Sequence, residues 1–268
     1  MTPAPQPRIA YERAGSGPPL VLIHGLGATK LVWKPQIPAL ASERDVIALD
    51  MPGFGDSEPM PAGTAPTAAA MATAISGFLA GIGIERPHVA GNSLGGWVAL
   101  EMAKAGHAAS ACLISPAGLW QNALGPRTVN TRGVAKLAKP FVLAAARRDS
   151  TRAKMLGTVV ARPGNVPKED GLQIISDWID APGYDASNAE MRRHVFEDPE
   201  QVEVPVTIAW GELDRLVRPP SSTRRPPGSR FIVLPGCGHT PNWDDPELIS
   251  QLLLEASDPA RAGASAAA

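Results

Sequence analysis

Strand patterns and helix patterns alternate over the first 118 residues of the chain. The strand-like runs are PRIAYERAG, PPLVLIHG, RDVIALDMPG, RPHVAGNS and ASACLISPAG. Between the later runs, PTAAAMATAISGFLAGIG and LGGWVALEMAKAG carry apolar residues at the spacing that gives a helix one buried face. Alternating strands and helices are typical of parallel βαβ units. The pattern therefore predicts an α/β fold with a mostly parallel sheet flanked by helices, and it predicts the first two runs as a strand pair.

The alternation stops after residue 118 and resumes near residue 199. Helical pieces such as GVAKLAKPFVLAAARR and GLQIISDWID fill the interval, separated by Pro and Gly, and no clear β-run occurs there. The runs VPVTIAWGELD and SRFIVLPGCGH and the helix-like DPELISQLLLEA follow. We predict a core made of residues 1–118 and 199–257, a helical cap inserted at residues 119–198, and a disordered tail at residues 258–268.

Composition and charge narrow the class of partner. The 25 basic and 26 acidic residues nearly cancel, so no strong field favours nucleic acid or an anionic membrane surface. No apolar run approaches the roughly 20 residues that span a bilayer. The sequence also shows no export signal, only two cysteines, and no metal-ligand spacing or phosphate-binding glycine loop. We expect a cytoplasmic protein that acts on a small molecule, with no cofactor, no metal, no nucleic acid and no membrane partner; homodimerisation stays open.

The segment HVAGNSLGGWVAL places one serine, Ser93, between two glycines where a strand meets a helix. A Gly-x-Ser-x-Gly turn at such a junction holds the serine in a strained backbone conformation and exposes its hydroxyl above the sheet edge. The following helix begins at the turn, so its free N–H groups point toward whatever bonds to Ser93. An ordinary serine in a glycine-rich turn is the alternative, and the rest of the chain has to decide between them.

A serine hydroxyl becomes a nucleophile when a histidine, oriented by a carboxylate, removes its proton. His88, His107 and His194 occupy positions that favour structural or solvated roles. His239 lies in a glycine-flanked loop, LPGCGH, just after a strand. In open α/β sheets, the functional residues lie mainly in the loops that follow the carboxyl ends of the parallel strands. His239 is therefore the predicted base.

Asp214 ends TIAWGELD, one strand before the histidine loop, and we predict it as the carboxylate partner of His239. The strand after the nucleophile helix ends in LISPAG and offers no carboxylate. Asp244 and Asp245 follow the histidine closely, but DDPE before an apolar run is typical of a helix N-terminus, so we expect them to cap that helix. The chain order of the predicted groups is serine, aspartate, histidine.

Attack on a carbonyl creates an oxyanion that needs preorganised donors. The turn in LVLIHGLGAT can present the Leu26 N–H, and the Leu94 N–H directly follows the serine. Because the backbone N–H groups would be the donors, the side chains at these two positions do not need to be polar. We expect His24 in the same turn to brace the loop rather than to act as a base.

The motifs HGLG, DMPGFGDS, GNSLGG, GELD and GCGH, in this order and spacing, resemble those of the α/β-hydrolase family. The resemblance covers about residues 8–118 and 200–256. It implies an eight-stranded, mostly parallel sheet and a catalytic triad of Ser93, Asp214 and His239. Epoxide hydrolases and haloalkane dehalogenases of similar design need a carboxylate at position 93, so the serine there excludes them.

Three functions remain open within this resemblance. The preferred one is hydrolysis of a carboxylic ester or lactone of a small, largely apolar substrate through an acyl-enzyme on Ser93. The second is carbon–carbon bond hydrolysis of the meta-cleavage-product type, which Asn92 and the Trp243 after CGH resemble, although HGLGATK lacks the usual Gly-Pro-Gly segment. The third is a catalytically idle ligand-binding scaffold, against which a complete triad argues.

The predicted cap has no motif that identifies a substrate. Its aromatic residues Trp120, Phe141, Trp178 and Phe196 either line an apolar pocket or pack the cap on the sheet. Trp243 is a better pocket candidate because it lies in the loop of the predicted base. The predicted substrate-binding residues are Asn92, Trp120, Trp178 and Trp243.

Overall fold

Seven strands form one sheet in the part of the chain that the computed structural model describes, residues 6–126 and 131–258. The strands are β1 (Tyr11–Ala14), β2 (Pro19–Ile23), β3 (Asp45–Leu49), β4 (His88–Asn92), β5 (Ser110–Ile114), β6 (Val206–Gly211) and β7 (Arg230–Leu234). Their order is β1-β3-β2-β4-β5-β6-β7, and β1 is antiparallel to β3 whereas the other neighbours are parallel. The predicted α/β fold is confirmed, with seven described strands where the family resemblance implies eight.

The predicted pairing of the first two strands with each other is wrong. β1 pairs with β3, and β2 lies between β3 and β4. Gly15, which has a φ of 83°, lies in the connection from β1 to β2, and a Cβ on it would lie 2.3 Å from the carbonyl oxygens of Ala41 and Arg44. The connection therefore passes against the residues that lead into β3.

Nine α-helices accompany the sheet in the two described ranges. They are α1 (Ile37–Leu40), α2 (Ala68–Gly81), α3 (Leu94–Lys104), α4 (Thr131–Leu137), α5 (Lys139–Ala146), α6 (Asp149–Leu156), α7 (Lys168–Asp180), α8 (Tyr184–Arg193) and α9 (Pro246–Ala256). α2 and α3 pack on one face of the sheet, and α1 and α9 pack on the other.

Alternate residues of each buried strand point to opposite faces, so one strand supplies both layers of the core. In β2, Val21 and Ile23 join the cluster under α2 and α3, whereas Leu20 and Leu22 join the cluster under α1 and α9. Helices on both faces explain why these strands are continuous apolar runs. The parallel arrangement also brings the carboxyl ends of β2, β4, β6 and β7 to one edge, where the predicted site residues follow them.

Helices α4 to α8 lie between β5 and β6, where the sequence pattern predicts the cap. Residues 119–198 are called the insertion below. A separate apolar cluster joins α5, α6 and α7 and also includes Trp243 from outside the insertion. Of the predicted tail, residues 259–268 lie outside the described residues. No helix in the described ranges is long and apolar enough to cross a membrane.

Candidate active site

Ser93 lies at the sharp turn between β4 and α3. Its backbone has a φ of 54° and a ψ of −117°, a conformation that residues with side chains rarely adopt. The turn requires its glycines. A Cβ on Gly91 would lie 2.2 Å from the Gly95 oxygen, and a Cβ on Gly95 would lie 2.3 Å from the Ile23 oxygen. Strand, turn and helix are so close together that the strained serine backbone is fixed by its surroundings.

Gly95→Ala is expected to destabilise the protein by about 1–3 kcal/mol, because the added methyl group overpacks the contact between the turn and β2. Chemical denaturation measures the free energy of unfolding. Gly81→Ala is the matched control, since this glycine ends α2 and no atom lies within 4 Å of an added Cβ. Equal stability of the two variants would contradict the tight packing of the turn.

His239 and Asp214 form a hydrogen-bonded pair. The histidine Nδ1 lies 2.7 Å from the aspartate Oδ2, and the two side chains are 6% and 1% exposed. The other carboxylate oxygen, Oδ1, accepts the N–H groups of Leu216 at 2.8 Å and Val217 at 3.0 Å. Burial raises the pKa of Asp214, but the hydrogen bonds and the charge of His239 outweigh burial and set the pKa below its usual value. Asp214 is therefore ionised at neutral pH and favours a proton on Nδ1.

The loops that carry this pair are in direct contact. Gly211 ends β6, and a Cβ there would lie 2.0 Å from the Gly238 oxygen. The Leu213 N–H donates to the Cys237 carbonyl oxygen at 2.8 Å. These contacts bring residue 214 beside residue 239 although another strand separates them in the chain.

Asn92, directly before the serine, holds the histidine loop against the turn. Its side-chain nitrogen donates to the carbonyl oxygens of Ile114 at 3.1 Å and of His239 at 2.8 Å, and its Oδ1 accepts the Thr240 hydroxyl at 3.2 Å. The residue is buried, and both of its amide N–H donors are used. The prediction that Asn92 binds substrate is therefore corrected, because the residue instead positions His239 relative to Ser93.

Ser93 is half-buried, and among the described residues its hydroxyl has no hydrogen-bond partner. The two predicted oxyanion donors lie beside it. Gly25, which is bonded to Leu26, packs so closely that an added Cβ would lie 3.2 Å from the Ser93 Cβ, and Leu94 begins α3. Within the described ranges, neither the Leu26 N–H nor the Leu94 N–H donates to a protein acceptor. Neither N–H group is therefore used by the described part of the protein.

His24 braces the same turn from inside the protein. Its Nδ1 donates to the Gly25 carbonyl oxygen at 2.8 Å, and its Nε2 accepts the Met51 N–H at 2.9 Å. Burial lowers the pKa of His24 and keeps the ring neutral. Neither ring nitrogen is free for proton transfer, which agrees with the bracing role expected from the sequence.

Two predicted pocket residues from the insertion lie in different surroundings. Trp178 contacts the turn after β2, because an added Cβ on Gly27 would lie 2.8 Å from the Trp178 ring, and Tyr184 packs edge-on against that ring. Trp120 packs edge-on against Trp97 of α3 and donates its ring N–H to a carbonyl oxygen of the insertion. Trp178 is therefore beside the proposed donors, whereas Trp120 fastens the insertion to α3.

The other three aromatic candidates, Trp243, Phe196 and Phe141, lie in different surroundings. Trp243 is buried in the apolar cluster of the insertion, so its predicted substrate role is corrected to packing. Phe196 is fully buried in the core, with the Lys104 ammonium 4.9 Å from its ring centre. Phe141 is 80% exposed on α5.

The expected capping role is right for Asp245 and wrong for Asp244. Asp245 accepts the Leu248 N–H at 3.0 Å at the start of α9. The buried carboxylate of Asp244 instead accepts the Gly238 N–H at 2.8 Å and the Arg162 N–H at 2.6 Å. The DDPE pattern contains no signal that separates the two, because one carboxylate serves its own helix and the other a distant backbone segment.

A cleft of about 420 Å³ between the sheet edge and α7 is lined by twelve residues, of which five are acidic. The Lys30 Nζ bridges Asp50 at 2.6 Å and Asp56 at 3.1 Å, and burial raises the pKa of Asp177. In the described part of the chain, no three His, Cys, Asp or Glu side chains are arranged to hold a metal ion. We assign no cofactor to this cleft.

Comparison with known proteins decides the family. A model of the alpha/beta hydrolase family matches residues 20–252, a range that includes the whole insertion and most of both parts of the core. The chain belongs to the α/β-hydrolase family. The resemblance that the sequence motifs indicate is therefore confirmed.

The relatives of this α/β-hydrolase are named as enzymes of several different activities. It is 31% identical, over 91% of its length, to the dihydrolipoyllysine-residue acetyltransferase component of the acetoin cleaving system of Pseudomonas putida, but it spans 65% of that protein, less than two thirds. It is 28% identical to a pimeloyl-(acyl-carrier protein) methyl ester esterase of Aeromonas hydrophila, over 91% of this chain and 97% of the esterase. A solved bacterial membrane phospholipase A superposes with a TM-score of 0.73 at 29% identity, over 94% of this chain and 83% of that one. Epoxide hydrolases are also among the relatives.

Proposed function

We propose that this α/β-hydrolase is a serine hydrolase that cleaves a carboxylic ester or a lactone of a small, largely apolar substrate. The observation that carries the proposal is the buried 2.7 Å hydrogen bond between His239 and Asp214, in loops that Asn92 ties to the Ser93 turn. A serine on a strained turn, a histidine and an ionised carboxylate are the groups that acyl transfer uses.

In the proposed reaction, the His239 Nε2 takes the proton of the Ser93 hydroxyl while the serine oxygen attacks the carbonyl carbon. The bond to the alcohol then breaks, and the imidazolium gives its proton to the leaving oxygen. Water, deprotonated by the same Nε2, attacks the acyl-enzyme. The bond from the acyl carbon to the serine oxygen then breaks, the imidazolium returns its proton to that oxygen, and the acid and the free enzyme are released. Asp214 holds Nδ1 protonated throughout and stabilises the imidazolium.

The negative oxygen of each tetrahedral intermediate would accept the N–H groups of Leu26 and Leu94. Both groups are fixed in the backbone before substrate binds, so they need no reorganisation during the reaction. The Leu94 N–H also lies at the N-terminus of α3, where the helix dipole favours negative charge. This arrangement supports a reaction that develops an oxyanion.

An apolar ester fits the surroundings of the turn. Leu26 itself is apolar, and the rings of Trp178 and Tyr184 contact Gly27 from the insertion. The relatives that are named as a methyl ester esterase and a phospholipase support an ester bond as the target.

The contacts do not favour carbon–carbon or epoxide hydrolysis. Carbon–carbon cleavage needs polar groups that clamp a dienol and deliver a proton to carbon, and the two candidates for this role, Asn92 and Trp243, are both buried. Asn92 also has no free N–H donor. Epoxide opening in this family design needs a carboxylate at position 93, where this chain has a serine.

Purified protein is expected to hydrolyse at least one of a panel of p-nitrophenyl esters, aryl esters and lactones faster than a coloured dienol-type ring-fission product. The reason is that ester hydrolysis needs only the groups described above, whereas ring-fission cleavage also needs the missing clamp. Initial rates at equal concentration give kcat/KM for each compound.

A ring-fission product cleaved faster than every ester would reverse the assignment to esters. Folded protein that is inactive on the whole panel requires a second measurement, covalent labelling by a fluorophosphonate. Labelling at Ser93 would indicate a narrow substrate outside the panel. No labelling would favour the idle scaffold.

A further inference from the structure

Two hydrogen bonds hold the His239 loop, one on each side of the histidine, and the second of them goes to the insertion. Before His239, the Gly238 N–H donates to the Asp244 Oδ2 at 2.8 Å. After it, the Thr240 N–H donates to the Val159 carbonyl oxygen at 2.8 Å. Val159 lies in the insertion between α6 and α7, so a segment far away in the chain fixes the backbone that carries the proposed base.

Asp244 extends the first of these contacts to the insertion. The same carboxylate accepts the Ala161 N–H at 3.1 Å and the Arg162 N–H at 2.6 Å. Three N–H donors thus converge on one buried anion, which is the kind of compensation that a buried charge requires. From the insertion, Asn165 adds side-chain hydrogen bonds to the carbonyl oxygens of Trp243 at 3.2 Å and Asp244 at 3.3 Å.

The backbones of the two segments are also in close contact. A Cβ on Gly238 would lie 2.8 Å from the Ala161 nitrogen and 2.9 Å from the Val159 oxygen. No side chain separates the histidine loop from the insertion at this point. A displacement of residues 159–162 would therefore displace His239.

We propose that Asp244 is a positioning residue that makes the alignment of His239 depend on the insertion. This inference rests on the proposed function, in which His239 is the base. Asp244 touches no reacting atom; its carboxylate holds the backbone so that Nδ1 meets Asp214 and Nε2 remains available to Ser93. A misplacement of about 1 Å in a catalytic group can cost on the order of 10²-fold in rate, so the anchor has a measurable effect on kcat.

Asp244→Asn is the first test. Asparagine keeps the size of the side chain but loses the charge and places an NH₂ group among three converging N–H donors. We expect kcat for the best ester to fall by about 10- to 100-fold, with a much smaller change in KM. We also expect the downfield proton resonance of the His239 Nδ1–H to shift or broaden. Asp245→Asn makes the same change one residue away, at a helix cap, and is expected to leave kcat and the resonance unchanged.

Gly238→Ala tests the same contact without a change of charge. Its methyl group would press on the Ala161 nitrogen and the Val159 oxygen, so we expect the same loss in kcat and the same change in the resonance. Gly164→Ala is the control within the insertion, since no atom lies within 4 Å of its added Cβ. Circular dichroism checks the fold of each variant.

Folded Asp244→Asn or Gly238→Ala protein with wild-type kcat and an unshifted resonance would overturn the proposal. If Asp244→Asn does not fold, Gly238→Ala decides; loss of the fold in both variants would overturn positioning in favour of a purely structural role. Failure of the proposed function has a different signature, namely wild-type protein that hydrolyses no ester and is not labelled at Ser93. The His239 resonance needs no substrate, so it still reports on Asp244 in that case.

Discussion

Ser93→Ala is expected to lower kcat/KM for the best ester by roughly 10⁴-fold or more while the fold stays intact. The proposed acyl-enzyme forms on the Ser93 oxygen, and alanine offers no atom in its place. The remaining rate would come from the oxyanion donors and substrate binding, which the substitution leaves in place. Because the hydroxyl has no hydrogen-bond partner among the described residues, we expect the free energy of unfolding to change by less than about 0.5 kcal/mol.

Ser115→Ala is the matched control for this prediction. Ser115 also follows a parallel strand and also has a positive φ, 43°, but it is fully buried. Its hydroxyl accepts the Gly211 N–H at 3.4 Å, so we expect a small effect on stability and nearly normal activity. More than a tenth of normal activity in Ser93→Ala would exclude Ser93 as the nucleophile. A similar loss in both variants would indicate a general effect on the fold.

The candidate catalytic residues could be predicted because their signals are local. The spacing of Gly91 and Gly95 around Ser93 reflects carbonyl oxygens only 2.2 and 2.3 Å from where the methyl groups would be. Asp214 and His239 each follow an apolar strand, and parallel strands end at the same sheet edge. A local pattern and one topological rule are therefore enough to predict that the aspartate and the histidine lie side by side.

The pairing of the edge strand β1 with β3 could not be predicted in the same way. The sequence between β1 and β2 is short and contains two glycines, a pattern that also fits direct pairing of neighbouring strands. In the structure β3 lies between the two strands, and Gly15 contacts Ala41 and Arg44, residues that are distant in the chain. Strand pairing depends on such packing, and alternation of strands and helices does not encode it.

The roles of Asn92 and Asp244 were also beyond sequence reasoning. Asn92 contacts the His239 carbonyl oxygen across 147 positions of the chain, and Asp244 contacts the Ala161 N–H across 83. Each is a polar residue close in sequence to a predicted catalytic group, which suggests a role in substrate binding or helix capping. Both side chains are buried and form hydrogen bonds with the histidine loop, so we infer that both position this loop instead.

Asp214→Asn is expected to lower kcat by roughly 10³- to 10⁴-fold. The carboxylate receives N–H groups from Leu216 and Val217 on one oxygen and faces the His239 Nδ1 with the other. An asparagine has one acceptor oxygen, and the two backbone donors hold it. The NH₂ group then faces the imidazole, so Nδ1 has to become an acceptor and the proton moves to Nε2. When the neutral imidazole carries its one proton on Nε2, this atom cannot accept the proton of Ser93.

Steady-state kinetics and the His239 Nδ1–H resonance measure this change together. We expect the resonance to disappear and KM to change little, because the Asp214 side chain is almost fully buried and contacts the histidine rather than the substrate site. Near-normal activity in Asp214→Asn, with inactive Asp244→Asn or Asp245→Asn, would mean that another carboxylate orients the base. The size of the losses also separates the two roles proposed for aspartates. Loss of the correct tautomer disables the base in every turnover, whereas loss of the Asp244 anchor only displaces it, so Asp214→Asn has to be the more severe variant.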